Sequence, residues 1–264
     1  MFEKNGRKFE KEENKLLVAK AIDKYKQAIR SNKITYTEFL TGNEIKIIEK
    51  AFIEERINDY IIYGAHEDSD RNIIVFYPEK FTEEIIFSNF KNILKLIRIS
   101  FPKEITFEHR EILSGIMKLG IKRERFGDII VYDTGCDIVC FDDMAKILES
   151  NLKELTRFRK SKIEIKDISE IVVKENEFED VKIIISSNRL DNFVSELARC
   201  SRTKANEIIE EGRVFINNVN EFKYSKKLQI GDKITIRGKG KFIYENDESK
   251  TRSDRIVVLL KKYK

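Results

Sequence analysis

The residues of this chain best suited to chemistry are cations crowded toward its C-terminal end. Arg189, Arg202, Lys204, Arg213, Arg237, Lys239 and Lys241 recur there with the polar Thr203 and Asn217. Guanidinium groups fork onto phosphate oxygens in pairs and lysine adds a mobile point charge, so the chemistry on offer is capture of a polyanion. Arg202, Thr203 and Lys204 open what reads as a helix, where free N–H groups and the positive dipole end already attract phosphate. Arg189, Arg213 and Arg237 fall at element ends, from which long side chains converge on one backbone. Such a surface reads shape and phosphate spacing, and double-stranded RNA offers little else to read. A second set, Lys122, Arg123 and Arg125, follows the helix-stopping Gly120 and predicts an exposed basic loop that makes a second contact.

Other chemistries lack their residues. Two histidines leave no Ser/His/Asp or Cys/His set, and His109 reads as a hydrogen-bonding residue at a helix start. Cys136, Cys140 and Cys200 are odd in number and poorly spaced for disulfides, and a zinc site needs about four N or S ligands. They are expected as reduced, mostly buried thiols, with no metal and no cofactor. No glycine-rich cofactor loop follows a strand. Asp191, in Arg-Leu-Asp, superficially matches the catalytic aspartate of pseudouridine synthases, yet it stands at a helix start. A non-catalytic binder is therefore expected, with an RNA-modifying enzyme of the pseudouridine-synthase type, or a cell-division-linked protein-interaction adaptor, as the alternatives.

Charge supports the polyanion. Charged residues make up 37% of the chain and the net charge is only +5, but residues 186–264 hold 18 Lys+Arg against 11 Asp+Glu, leaving 33 against 35 before them. All of the excess positive charge thus sits in the tail. Residues 1–14 are charged throughout, and no apolar run approaches the ~20 residues that span a bilayer. A cytoplasmic monomer is expected.

The elements that must position these side chains follow from periodicity. Residues 1–65 read as helical, with Thr41 capping a second helix over 43–57. From about 70 the period changes. A strand at 72–77, a helix at 81–90, a strand at 93–99, a helix at 108–119 ended by Gly120, a hairpin of 128–132 with 137–141, a helix capped by Asp142 or Asp143, and a strand at 162–168 together predict a small α/β domain of ferredoxin-like topology. An acidic linker at 174–180 and a strand at 182–186 lead to the last module. There Leu190, Phe193, Val194 and Leu197 form one helical stripe. Ser201 or Thr203 caps a second helix with Ala205, Ile208 and Ile209 inside, Gly212 ends it, and Gly231-Asp232 turns into a strand at 233–237. The expected α+β chain has boundaries 1–68 (helical), 69–170 (α/β), 171–185 (linker and strand) and 186–264 (RNA-binding module with basic tail).

The pattern from Arg189-Leu190-Asp191 through Ser201-Arg202-Thr203-Lys204-Ala205 and Gly212-Arg213-Val214 to Gly231–Gly238 resembles the S-four-type, or alpha-L, RNA-binding domain. The segments His109–Gly115, Leu119–Asp128 and Arg237-Gly238-Lys239-Gly240-Lys241-Phe242, and more loosely the Lys250–Arg255 tail, resemble the YlmH family over nearly the whole chain. Gly64-Ala65-His66-Glu67 departs from the glycine-rich turn expected there. The resemblance implies a helical N-terminal region, an RNA-recognition-motif-like middle domain and the C-terminal module. It also implies binding of rRNA and tRNA on the large ribosomal subunit during rescue of stalled nascent chains by C-terminal tailing. The middle domain lacks the exposed aromatic strand pattern with which RNA-recognition motifs stack bases, so single-stranded RNA is not expected on it.

Overall fold

An unbroken apolar run marks a strand covered on both faces, because an alternating pattern would leave one face wet. Ile73-Ile74-Val75-Phe76 is such a run, and all four side chains are fully buried. In the computed structural model, which describes residues 2–66, 68–173 and 177–264, this run organises the first of two compact units, Met1–Lys174 and Glu175–Lys264.

The N-terminal part of unit one comprises α1 (Phe2–Ser31), β1 (Thr35–Tyr36), β2 (Leu40–Thr41), α2 (Gly42–Glu55), β3 (Tyr60–Tyr63) and β4 (Arg71–Phe76). β4 is the hub, pairing antiparallel with β1, β2 and β3. The expectation of a helical region through residue 65 is met by α1 and α2, but three short strands complete it. The boundary expected at residue 68 falls inside this small sheet, because β4 pairs backward with β3 rather than forward with the α/β domain. Local pattern identified the strand but could not name its partner. Thr41 caps α2 as expected: its Oγ1 accepts from the Glu44 N–H at 3.4 Å while the Glu44 carboxylate accepts from the Thr41 N–H at 2.7 Å, satisfying two orphan donors at once.

After α3 (Glu83–Ile93) the middle domain runs β5 (Leu94–Ser100), α4 (His109–Lys118), β6 (Phe126–Tyr132), β7 (Gly135–Phe141), α5 (Asp142–Glu154) and β8 (Lys162–Asp167). The order β6-β7-β5-β8, all antiparallel, is the ferredoxin-like βαββαβ arrangement. Neither Asp142 nor Asp143 caps α5. Phe141 holds the cap position without a side-chain bond, and both aspartates lie in the first turn, where they complement the helix dipole.

Strand alternation divides the middle sheet between two cores. Ile97, Ile99, Ile138 and Cys140 face α4 and α5, packing with Ile112, Ile116, Leu148 and Phe158. Leu94, Leu96, Val139 and Phe141 face the other way, onto Phe39, Ile73, Val75 and Ile86. Behind β4, Ile74 and Phe76 pack with Ala21, Ala28, Ile48 and Phe52 of α1 and α2. Unit one is thus layered helix, sheet, sheet, helix. The open face that RNA-recognition motifs use for stacking bases is largely consumed in its core. Cys136 and Cys140 are fully buried, and burial pushes both thiols up to about 12.

Unit two comprises β9 (Phe178–Ile185), α6 (Leu190–Ala198), α7 (Arg202–Glu210), β10 (Val214–Ile216), β11 (Val219–Asn220), β12 (Lys233–Ile236), β13 (Gly240–Lys250) and β14 (Ile256–Tyr263). Its sheet runs β11-β10-β12-β13-β14-β9. Leu190, Phe193 and Val194 of α6 and Ala205, Ile208 and Ile209 of α7 pack on Val214, Ile234, Ile236, Tyr244 and Val258. Part of the expected acidic linker, residues 174–176, lies outside the described residues, and the segment from Phe178 pairs with β14 as the sheet's edge strand. Among the described residues no helix is long and apolar enough to cross a membrane.

Gly127 allows the two sheets of unit one to approach. A Cβ there would meet the Phe39 ring at 2.7 Å. Gly127→Ala is expected to destabilise unit one by ~1–3 kcal/mol through overpacking, read as a lower urea midpoint with unchanged m-value.

Candidate nucleic-acid interface

The corner between α6 and α7 is built by local rules. Arg199 ends α6 in the left-handed conformation, with φ 53°. Ser201, rather than Thr203, then caps α7, its Oγ accepting from the Lys204 N–H at 3.2 Å. Thr203 is exposed. This geometry swings the start of α7 back toward the start of α6 and brings three charges together. The Asp191 carboxylate, 3% exposed, accepts from Arg189 Nε at 3.1 Å and Nη2 at 2.9 Å, and from Arg202 Nη2 at 2.8 Å. Burial alone would raise the Asp191 pKa. The hydrogen bonds from Arg189 and Arg202 outweigh burial and hold it below the usual carboxylate range. One sunken carboxylate therefore fixes two guanidiniums whose remaining donors reach solvent, Arg202 being 57% exposed and Arg189 36%. Asp191 is the site residue that charge counting passed over. Its signal was the Arg-x-Asp spacing followed by an arginine at a helix start.

A second group lies where β10 and β12 meet. Arg213 donates through Nη2 to the Arg237 carbonyl at 3.1 Å and pairs with Glu211 at 3.4 Å. The Arg237 guanidinium stands 4.8 Å over the Phe215 ring, and Lys241 Nζ 5.0 Å from the centre of Tyr263. Lys239 is exposed in the turn between Gly238 and Gly240, both at positive φ. Lys204, ion-paired with Glu207 at 2.6 Å, lies close enough to Arg213 to feel its charge. The helix corner and the sheet end are thus electrostatic neighbours.

Asn217 plays a different part from the one its position suggested. It sits at φ 51° in the β10–β11 hairpin, donates through Nδ2 to Asp232 at 2.9 Å and accepts from the Lys233 N–H at 2.9 Å. Both ends of its amide are committed to the turn. In unit one, Lys122 is exposed, but Arg123 and Arg125 turn inward. Arg123 donates to the carbonyls of Phe126 and Gly127 at 2.6 and 2.8 Å and lies 4.4 Å over the Phe126 ring. Burial and the nearby Arg71 guanidinium lower its pKa to about 10. Arg125 bridges Glu38, at 3.0 and 3.1 Å, to Asp143 at 2.7 Å. Arg125 thus ties the segment between β1 and β2 to the first turn of α5, Arg123 braces the start of β6, and Lys122 is the exposed cation of the three.

Residues 188–234 match a family described as "S4 domain", and residues 88–171 match one described as "Putative RNA-binding domain in YlmH". The chain thus carries one segment similar to a YlmH RNA-binding domain and one similar to an S4 domain. A relative in Bacillus subtilis (strain 168), "Ribosome-associated protein quality control protein P2", is 27% identical over 229 residues, covering 86% of this chain and 87% of its own length. A solved structure, "Cell division protein ylmH from Streptococcus pneumoniae", is 20% identical at a TM-score of 0.48 and covers 61% of this chain and 95% of its own. The segment that matches the S4 domain spans the α6–α7 corner with β10, β11 and the start of β12.

Asp191→Asn is expected to destabilise unit two by ~1–3 kcal/mol at neutral pH, since the amide cannot satisfy two guanidiniums. A depressed carboxylate stabilises above its unfolded pKa and loses that contribution as pH falls through its folded value. The gap from wild type should therefore be complete at pH 7 and narrow below about pH 4. Urea unfolding followed through α6 and α7 amide signals at both pH values reads it.

Proposed function

We propose that this chain is a non-catalytic RNA-binding protein of ribosome-associated quality control. It holds structured rRNA and tRNA on the large ribosomal subunit while stalled nascent chains are extended by C-terminal tailing. The observation that carries this reading is the Asp191 carboxylate clamped between Arg189 and Arg202. Two guanidiniums fixed at helix starts present paired N–H groups at a set spacing, which suits adjacent phosphates of a folded RNA. Their order is established before binding, so little side-chain entropy is lost on contact. Arg213, Arg237, Lys239 and Lys241 extend the positive surface, with Lys204 between the two groups. The same clamp favours a binder over a pseudouridine-synthase-type enzyme, because three arginine N–H groups and the Asn192 N–H together occupy the lone pairs the carboxylate would offer a substrate. The name of the Bacillus subtilis relative supports the ribosomal setting, and a monomer working in the cytoplasm suits that setting.

Two measurements test the reading. In density gradients the protein should travel with large ribosomal subunits at low salt and leave them as salt rises, because each phosphate contact releases counterions. Remaining at the top of the gradient at low salt overturns the proposal. Arg202→Ala should weaken RNA binding roughly tenfold and reduce the slope of log affinity against log salt by about one, and the Arg202/Lys204 double alanine variant should lose more. Unchanged affinity in a folded double variant removes this corner as the site.

A further inference from the structure

The loop between β11 and β12 presents Phe222, 58% exposed, and Tyr224, 42% exposed. This loop is anchored along its length. The Glu221 carboxylate turns back on the chain, accepting from the N–H groups of Phe222 at 3.1 Å and Lys223 at 2.9 Å and pairing with Lys226 at 3.0 Å. The Tyr224 and Lys226 carbonyls accept from Asp191 and Leu190 at 3.0 and 2.8 Å, which pins the loop to the start of α6. The Phe222 ring lies against the Gly212 backbone, where an added Cβ would meet ring carbons at 3.2 and 3.4 Å. The Arg189 guanidinium stands 5.9 Å from the centre of the Tyr224 ring. Two aromatic rings are thus held outward on a fixed backbone, beside the arginine clamp.

Single exposed apolar side chains are ordinary on a protein surface. Here two rings two residues apart lie beside the Arg189 guanidinium and share an anchored loop with Lys223, Lys226 and Lys227, while its two acids, Glu221 and Asp232, are engaged by the loop's own N–H groups and by Lys226 and Asn217. Cations around exposed π-faces complement a nucleic-acid strand, whose phosphates meet the charge while an unpaired base meets the ring. We propose that Phe222 and Tyr224 form a stacking platform for unpaired bases, so that the module prefers RNA in which a helix adjoins a bulged or looped-out nucleotide. This rests on the RNA-binding reading above and adds to it the class of RNA selected.

The test uses the full chain and two probes, a short RNA hairpin with one unpaired 2-aminopurine and the same hairpin fully paired. The wild type should bind the bulged hairpin about tenfold more tightly than the paired one, with a fall in 2-aminopurine fluorescence as the base stacks. In the Phe222→Leu/Tyr224→Leu double variant the ratio of affinities should drop to near one and the fluorescence change should vanish. Phe222→Tyr should keep both. Circular dichroism melting confirms that each variant is folded, and Phe222→Leu alone, which keeps an apolar side chain on Gly212, should lower the ratio even if the double variant unfolds. Equal binding of both hairpins by the wild type overturns the platform and leaves the arginine clamp standing. So does a preserved ratio in the leucine variants, which would assign the rings to a protein partner. Failure to bind either hairpin at low salt overturns the RNA-binding reading itself.

Discussion

A carboxylate removed from water must find cationic or N–H partners, and in unit two this requirement falls on Asp191. Its partners come from two directions: Arg189 precedes it at the start of α6, and Arg202 opens α7. Meeting that need joins the starts of α6 and α7 above the apolar stripes that pack beneath them. It also spends the inward N–H groups of both arginines, so the remaining donors point outward at defined positions. The β11–β12 loop depends on the same point, because its carbonyls cap the amides of Leu190 and Asp191. Stability and presentation of charge are therefore one interaction viewed from inside and from outside.

Unit one solves a different problem. A ferredoxin-like sheet covers one face with its own helices and must dispose of the other. Here β4, apolar on both sides, carries a small sheet that covers Leu94, Leu96, Val139 and Phe141. Farther along that face, Arg98 holds the buried Asp137 through two bonds of 2.8 Å, joined by the Tyr132 hydroxyl at 3.2 Å and the Val172 N–H at 2.9 Å. A surface that in other proteins of this topology stacks bases is here apolar core and satisfied ion pair. Arg123 and Arg125 are likewise engaged within unit one. Arg123 donates to the carbonyls of Phe126 and Gly127, and Arg125 to the carboxylates of Glu38 and Asp143.

Much of this was legible along the chain. Thr41 marked the start of α2, Gly120 the stop of α4, and Gly212 the end of α7, because caps depend on residues within one turn. The βαββαβ order and the two helical stripes of unit two followed from periodicity. The site was legible as charge: residues 186–264 carry the basic excess, and Arg189, Arg202, Arg213 and Arg237 stand at element ends as their spacing implied. The part of Asn217 in the hairpin was not legible, since a side chain that completes a turn and one that awaits a ligand are the same letter in a sequence.

The sequence by itself determined the local elements, the asymmetry of charge and the family pattern, because each arises from neighbours a few residues apart or from composition alone. Only the tertiary structure decided the pairing of β4 with β3 instead of the middle sheet, and the engagement of Arg123 and Arg125 by groups of unit one. It also decided the capture of Asp191 by two arginines and the outward display of Phe222 and Tyr224. Each of these depends on which polar groups and apolar faces long-range folding brings together. A cation within reach of a buried carbonyl becomes structure, and one left facing water remains free for a ligand.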